Sequence, residues 1–196
     1  GKNYTKAQAE FNYMISYRNP GKGIRSRLFA GVFIRNDETI RNYKFRMSAW
    51  SGYQDYLFDH WFLGRSETDG ILSQQMEVND GGFKSFSYAG QSDKWLTALN
   101  LAFDFPGRLP IAFFFDAGMV PKEKFGDYET ESFYFDGGLS FFLMRNLMEI
   151  HVPLFRSSAI SDAQEANDKK FKDDIRFVFS IRKLGLKSLR NDMSFF

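Results

Sequence analysis

From residue 109 to residue 155 the chain reads LPIAFFFDAGMV, a polar break, ESFYFDGGLSFFLM and then LMEIHVPLF. Ile111, Phe113, Phe115, Phe133, Phe135, Leu139, Phe141 and Leu143 fall on one parity, and Asp116, Gly118, Asp136, Gly138 and Ser140 on the other. Such a period of two is that of β-strands, whose successive side chains point to opposite sides. A strand with one greasy row and one row of glycine, serine and carboxylate asks for two solvents. A sheet with one wet face over a soluble core meets that demand, and so does a barrel wall with acyl chains outside and a wet lumen inside.

The same alternation predicts eight strands. Over 7–18, Ala9, Phe11, Tyr13, Ile15 and Tyr17 oppose Gln8, Glu10, Asn12, Ser16 and Arg18, and Asn19-Pro20-Gly21 turns the chain. Over 24–35, Ile24, Ser26, Leu28, Ala30, Val32 and Ile34 oppose Arg25, Arg27, Gly31 and Arg35. An arginine facing lipid at mid-depth costs roughly 2 to 4 kcal/mol, so this row must face water or carboxylates. A third strand over 43–52 sets Tyr43, Phe45, Met47 and Ala49 against Lys44, Arg46, Ser48 and Gly52. Arg25, Arg27, Arg35, Lys44 and Arg46 together form a basic sector of lumen wall, able to attract anions, pair with carboxylates or simply be solvated. Further strands follow at 95–105, 110–119, 132–143, 147–155 and 174–182.

The alternation fades over 53–94, and a stretch that long inside a compact domain usually has a job of its own or is disordered. Its aromatic and glycine content predicts an ordered loop that plugs or caps the lumen. With the C-terminus on the periplasmic side, 53–94, 120–131 and 156–173 are external and long, while 36–42, 106–109 and 144–146 are internal and short, as in outer-membrane barrels. The exception is 19–23, which is short yet external on this count. The chain is therefore expected to be all-β, an antiparallel transmembrane β-barrel segment over 1–196 with a lumen loop at 53–94 and an unpatterned tail at 184–196. An eight-stranded interior is just filled by side chains, so a plug of this length argues for half of an about sixteen-stranded barrel.

Composition adjusts this picture only slightly. The 24 Phe, nine Tyr and three Trp among 196 residues exceed an ordinary core's need, and a mean hydropathy of −0.39 fits strands that dilute apolar residues with lumen-facing ones. No run approaches the apolar length of a spanning helix. A net charge of +2, with basic residues interleaved among apolar ones, gives no footprint for nucleic acid. Zero Cys removes disulfides, thiol catalysis and cysteine metal sites. The absence of an initiating Met, a signal peptide or a lipidation motif at Gly1 reads as a mature or truncated piece of something exported.

The order of motifs resembles the C-terminal half of the outer-membrane assembly-factor superfamily, the BamA-like surface antigens. A long lumen loop precedes LNLAFDFPG, a strand ending in a proline turn. An F-x-D strand follows at Phe114, Phe115 and Asp116, then a G-x-G/S-F strand at Gly138, Leu139, Ser140 and Phe141, then HVPL and the closing RFVFSIR. The likeness covers about residues 95–183, with the first three strands matching by pattern alone. It implies insertion or translocation of envelope proteins in a bacterial outer membrane, with the lipid bilayer, lipopolysaccharide and other assembly proteins or a client as partners, and with no cofactor. It also implies a lock between loop and wall involving Asp116, Gly138 and Phe141. The family's loop carries a hydrophobic-Arg-Gly-aromatic tip whose arginine pairs with the F-x-D aspartate, and no such tetrad lies between Gly52 and Lys94. Arg65 is the loop's only arginine and is expected to reach Asp116, with Lys84 or Arg46 as substitutes. The text FLGRSETDGILSQQ followed by DGGFKS also resembles the C-terminal barrel of large Bacteroidota envelope proteins with an upstream gluzincin metallopeptidase domain, which would make this chain a non-catalytic membrane anchor. A soluble β-barrel ligand binder is the remaining alternative.

Catalysis within the segment has little to rest on. His60 and His151 are the two histidines, and neither sits in a His-Glu-x-x-His motif. His60 reads as loop packing among Tyr56, Phe58, Trp61 and Phe62, and His151 as a strand-end residue near lumen water or headgroups. Asp55, Asp59 and His60 are sequence neighbours on an apolar loop, a common coincidence. Gly81-Gly82 and Gly137-Gly138 read as strand and turn glycines instead of a phosphate loop.

Overall fold

The computed structural model describes residues 3–18, 21–36, 43–125, 128–144 and 147–179. In chain order the strands are β1 (Tyr4–Ser16), β2 (Gly23–Asn36), β3 (Phe45–Arg46), β4 (Gln91–Ser92), β5 (Trp95–Asp104), β6 (Ile111–Met119), β7 (Lys124–Phe125), β8 (Tyr128–Glu129), β9 (Phe133–Met144), β10 (Met148–Arg156) and β11 (Arg176–Phe179). Among the described residues there is one α-helix, α1 (Ser158–Glu165), between β10 and β11. Seven strands form one antiparallel sheet in the order β1-β2-β5-β6-β9-β10-β11, curled like half a barrel.

One predicted strand is not in that sheet. β2 pairs directly with β5, Leu28 opposite Leu99, and the stretch predicted as strand three belongs to an inserted segment on the concave side. There Phe45 and Arg46 pair with Ser92 and Gln91 as a short ribbon, and Phe45, Met47 and Ala49 are buried. The alternation does not mark a wall strand, since Arg46 and Ser48 are buried along with Phe45, Met47 and Ala49 in a chain packed onto the wall instead of within it. The correction removes the topological exception. Antiparallel pairing now puts the turns 17–22, 105–110 and 145–147 at one end of the sheet and the connections 37–94, 120–132 and 157–175 at the other. Of the expected short turn at 36–42, residues 37–42 lie outside the described set. So do Asn19, Pro20, Arg145, Asn146, residues 180–182 of the predicted last strand and the tail 184–196.

The two sheet faces differ as their rows do. The convex row shows Leu28, Val32, Trp95, Leu99, Met119, Phe133, Leu143 and Leu154 exposed, with Leu139 and the phenylalanines Phe113, Phe115, Phe135 and Phe141 half-buried among them. The concave row, Leu96, Ala98, Asn100, Asp104, Phe114, Asp116, Tyr134, Asp136, Ser140 and His151, is buried under the insertion. Phe29, Phe45, Met47, Phe83, Leu96, Ala98, Val120, Tyr134 and Ile160 form the core between wall and insertion. Small wall residues make room for it. A Cβ on Gly31 would come within 2.6 Å of the Phe45 ring, and one on Gly118 within 2.5 Å of the Met47 sulfur. β1 differs from the rest, being exposed on nearly its whole length as the free edge of the sheet.

Candidate functional site

The insertion from 43 to 92 is a plug whose deepest part is NDGGFKS, residues 79–85. Its two arms run side by side. Phe83 N–H donates to Met47 O (2.9 Å), Ala49 N–H to Phe83 O (3.0 Å), and Trp50 and Glu77 exchange both backbone bonds. The tip between them is a turn made by residue types suited to it. Gly82 N–H donates to Asn79 O, and Asp80 and Gly82 both have positive φ, 47° and 67°. A side chain on Gly82 would crowd the Arg27 guanidinium and the Asn100 amide, at 3.0 and 3.1 Å, so glycine there lets tip and wall meet. Asp80 lies inside the turn and accepts from Arg46 N–H and the Trp50 indole, both 3.1 Å. Burial pushes its carboxyl above the usual range, against the lowering pull of Lys6, Trp50 and Arg46.

Four wall side chains fasten the tip. Arg27 of β2 donates to Asp80 O (2.9 Å) and to Asn100 Oδ1 (2.8 Å), and Asn100 of β5 donates to Gly81 O (2.8 Å) and to Asp116 Oδ1 (2.9 Å). Lys84 reaches the same Asp116 oxygen at 2.9 Å, and Ser85 N–H donates to Asp136 Oδ2 at 2.6 Å. Asp116 and Asp136 are fully buried and directly opposite on β6 and β9. A buried carboxylate is tolerable only with such partners, because stripping it of water costs several kcal/mol.

A second fastening holds the plug at the rim. Phe86 N–H donates to Asp174 Oδ1 (2.7 Å), Gln164 of α1 donates to Phe86 O (2.8 Å) and to the same Asp174 oxygen (2.9 Å), and Arg156 pairs with Asp174 at 2.6 Å. Burial raises the Asp174 carboxyl to about 6, opposed by Arg156, the Phe86 amide, Arg176 and Gln164. Arg176, itself fully buried, donates to Ser48 Oγ (3.2 Å) and Ala49 O (2.9 Å), tying β11 to the plug.

The predicted lock is therefore redistributed. Arg65 does not reach Asp116. It pairs with Asp55 at 2.6 Å, donates to His60 O and lies over the rings of Phe58 and Phe62, so it organises its own turn. Lys84 holds Asp116 in its place. Gly138 sits where β9 and β10 approach, with Val152 O where its Cβ would be. Phe141 lies in the convex row, away from the plug, so it is not a lock residue. Of the predicted basic wall, Arg25 and Arg27 line the concave side, and Arg25 pairs with Asp104 at 3.1 Å. Arg35 is exposed near the end of β2, and Lys44 and Arg46 belong to the plug. Asn100, Asp136, Arg156, Gln164 and Asp174 went unnoticed as lock residues. The Asn-Asp-Gly-Gly turn was the one sequence signal that pointed to the tip.

Beyond the tip, towards the short-turn end, a cavity of about 330 Å³ is lined by Arg25, Lys84, Ser140, Phe142, Glu149 and His151. His151 is buried, its Nδ1 2.8 Å from Ser140 Oγ, instead of at a strand end. Asp55 spends its carboxylate on the backbone N–H groups of Asp59 and His60 and on Arg65, which accounts for the acidic neighbours of His60 as a turn. Among the described residues no group of three or more His, Asp or Glu could hold a metal ion. No protein-family model, curated protein or solved structure matches this chain.

Proposed function

We propose that this chain is a wall segment of a bacterial outer-membrane β-barrel of the assembly-factor type, carrying its own lumen plug and acting in insertion or translocation of envelope proteins. The observation that carries the reading is the exposed apolar row across β2, β5, β6, β9 and β10 opposite a buried polar row on the same strands. Contiguous apolar surface of this breadth is unusual on a water-soluble monomer and is what acyl chains require. The sorting of short turns to one end and long connections to the other supports it further, as does an F-x-D aspartate held by a plug cation. Lipid tolerates no open sheet edge, so the wall closes through further strands beside β1 and β11, making these seven strands part of a larger barrel. Lipid and lipopolysaccharide then contact the convex row, and a client contacts the lumen or the rim.

The double fastening of the plug, at its tip and at its rim, favours a second reading, a static anchor for a catalytic domain elsewhere in the polypeptide. Depletion of the native protein in its host separates the two. A fall in assembled outer-membrane proteins is the outcome expected of an assembly factor, and unchanged assembly with loss of a detergent-extractable proteinase activity is that of an anchor. Release of the native protein from envelopes by urea or carbonate without detergent would overturn both.

A further inference from the structure

The lock has an imbalance that its hydrogen bonds do not remove. Asp116 Oδ1 takes Lys84 and Asn100, and Asp136 Oδ2 takes the Ser85 amide, yet Asp116 Oδ2 and Asp136 Oδ1 are buried with no donor aimed at them. These residues are directly opposite across β6 and β9, both on the concave face and both fully buried. Lys84 is the one cation bonded to the pair among the described contacts. Two charged carboxylates so placed would leave a surplus negative charge in a fully buried site, the arrangement in which one carboxyl keeps its proton.

We propose that Asp136 carries a proton and donates it to Asp116 Oδ2, so that the two aspartates form a proton-binding site that holds the plug against the wall. One O–H···O bond then satisfies both orphan oxygens, and a single negative charge remains to match the Lys84 ammonium. The other groups around the pair do not replace that proton. Arg27 of β2 is committed to Asp80 O, Asn100 and Glu10, the last at 2.7 Å, and Arg25 to Asp104. Arg176 of β11 gives its terminal nitrogens to Ser48 and Ala49. His151 of β10 faces Ser140, with Glu149 3.9 Å from its other nitrogen. Loss of the proton to a base arriving through the cavity beyond the tip breaks the Asp136 O–H bond and leaves two facing carboxylates against one ammonium. Their repulsion, and the water they call in, release the tip. The site stands on the lock's geometry and is the same whether the barrel assembles, translocates or anchors.

The test uses the full-length protein in lipid vesicles, with wild type compared with Asp136→Asn, whose amide donates to Asp116 at every pH. Infrared spectroscopy of wild type at neutral pH should show a protonated-carboxyl band that Asp136→Asn lacks. Proteolysis within 53–94 should accelerate above a midpoint by about tenfold per pH unit, the slope of one proton lost, while circular dichroism shows the wall still folded. In Asp136→Asn that step should be absent, leaving only the dependence near pH 6 that the Asp174 rim gives both proteins. A variant with the wild-type pH profile, or one that leaves the band unchanged, overturns the proposal. Should the variant fail to fold, wild type alone decides, because the band and the plug's protection must vanish at one shared midpoint. Two separate midpoints, or no band at neutral pH, refute it.

Discussion

The two faces of β6 are made by the same nine residues and obey opposite rules. On the convex side Phe113 and Phe115 are half-buried against the Phe155 ring and Met119 is exposed, and the three are interchangeable in kind, since each offers only apolar area. On the concave side Phe114 meets the His151 ring edge-on, centroids 6.0 Å apart, and the Asp116 carboxylate is balanced by Lys84 and Asn100 at 2.9 Å. Where a face meets a solvent, composition matters and identity does not. Where it meets the chain itself, single atoms decide. The difference shows why the outer row is readable from periodicity while the inner row needs coordinates.

The sharpest break in this contrast comes from Lys84→Met, which leaves Asp116 buried without its cation. A loss of about 3 to 5 kcal/mol is expected in denaturant unfolding from detergent micelles, together with early proteolysis of 53–94. A value under 1 kcal/mol would mean the lock does not hold the plug. On the other face, Leu139→Arg sharpens the comparison directly. In a bilayer the arginine costs roughly 2 to 4 kcal/mol, whereas on a water-exposed face such a change stays within about 0.5 kcal/mol. Stability measured in vesicles distinguishes the two.

The rim fastening gives a pH signature. Because burial raises Asp174 to about 6, the folded state binds a proton that the unfolded chain has already released, so this contribution is full below the ordinary aspartate value and is lost as pH rises through about 6. Unfolding free energy should fall by at most about 3 kcal/mol over that window, and Asp174→Asn should flatten the curve. The smallest effect is expected at Arg65→Met. Its partly exposed pair with Asp55 contributes on the order of 1 kcal/mol or less, so the turn 53–65 should become more susceptible to proteolysis with the Asp116 lock intact. Slackening of the tip in that variant would restore Arg65 to the lock.

Seven of the eight predicted strands lie in the sheet because period two reports which side of an extended chain is buried, whatever buries it. At 43–52 the pattern misleads, because both sides of that chain are buried from Phe45 on. Phe45 and Met47 alternate with Lys44 and Arg46 as a wall strand would, yet they press onto Gly31 and Gly118 from inside. The lock was half legible. Asp116 stands out as a carboxylate in an apolar strand that needs a cation, but spacing does not rank Lys84 above Arg65, because Lys84 comes within reach of β6 only once the Asn79–Gly82 turn is folded. Asp136 shared the visible polar row without a hint of its role, since its pairing with Asp116 depends on the register of β6 and β9. The rim cluster is hidden in the sequence, with Arg156 and Gln164 in the long connection 156–173 and Asp174 at the start of the predicted last strand, because a helix as short as α1 carries too few residues to announce itself.

The ladder between β2 and β5 runs unbroken from Ile24 opposite Phe103 to Val32 opposite Trp95, so the plug leaves and re-enters the wall through the same rim. Its withdrawal would cost tip, rim and core contacts and none of the hydrogen bonds that hold the staves together. Shortening it to a tight hairpin turn would likewise leave the staves able to join. Sheet and insertion are in this respect separate, and the grip of one on the other can change without a break in the β2–β5 ladder.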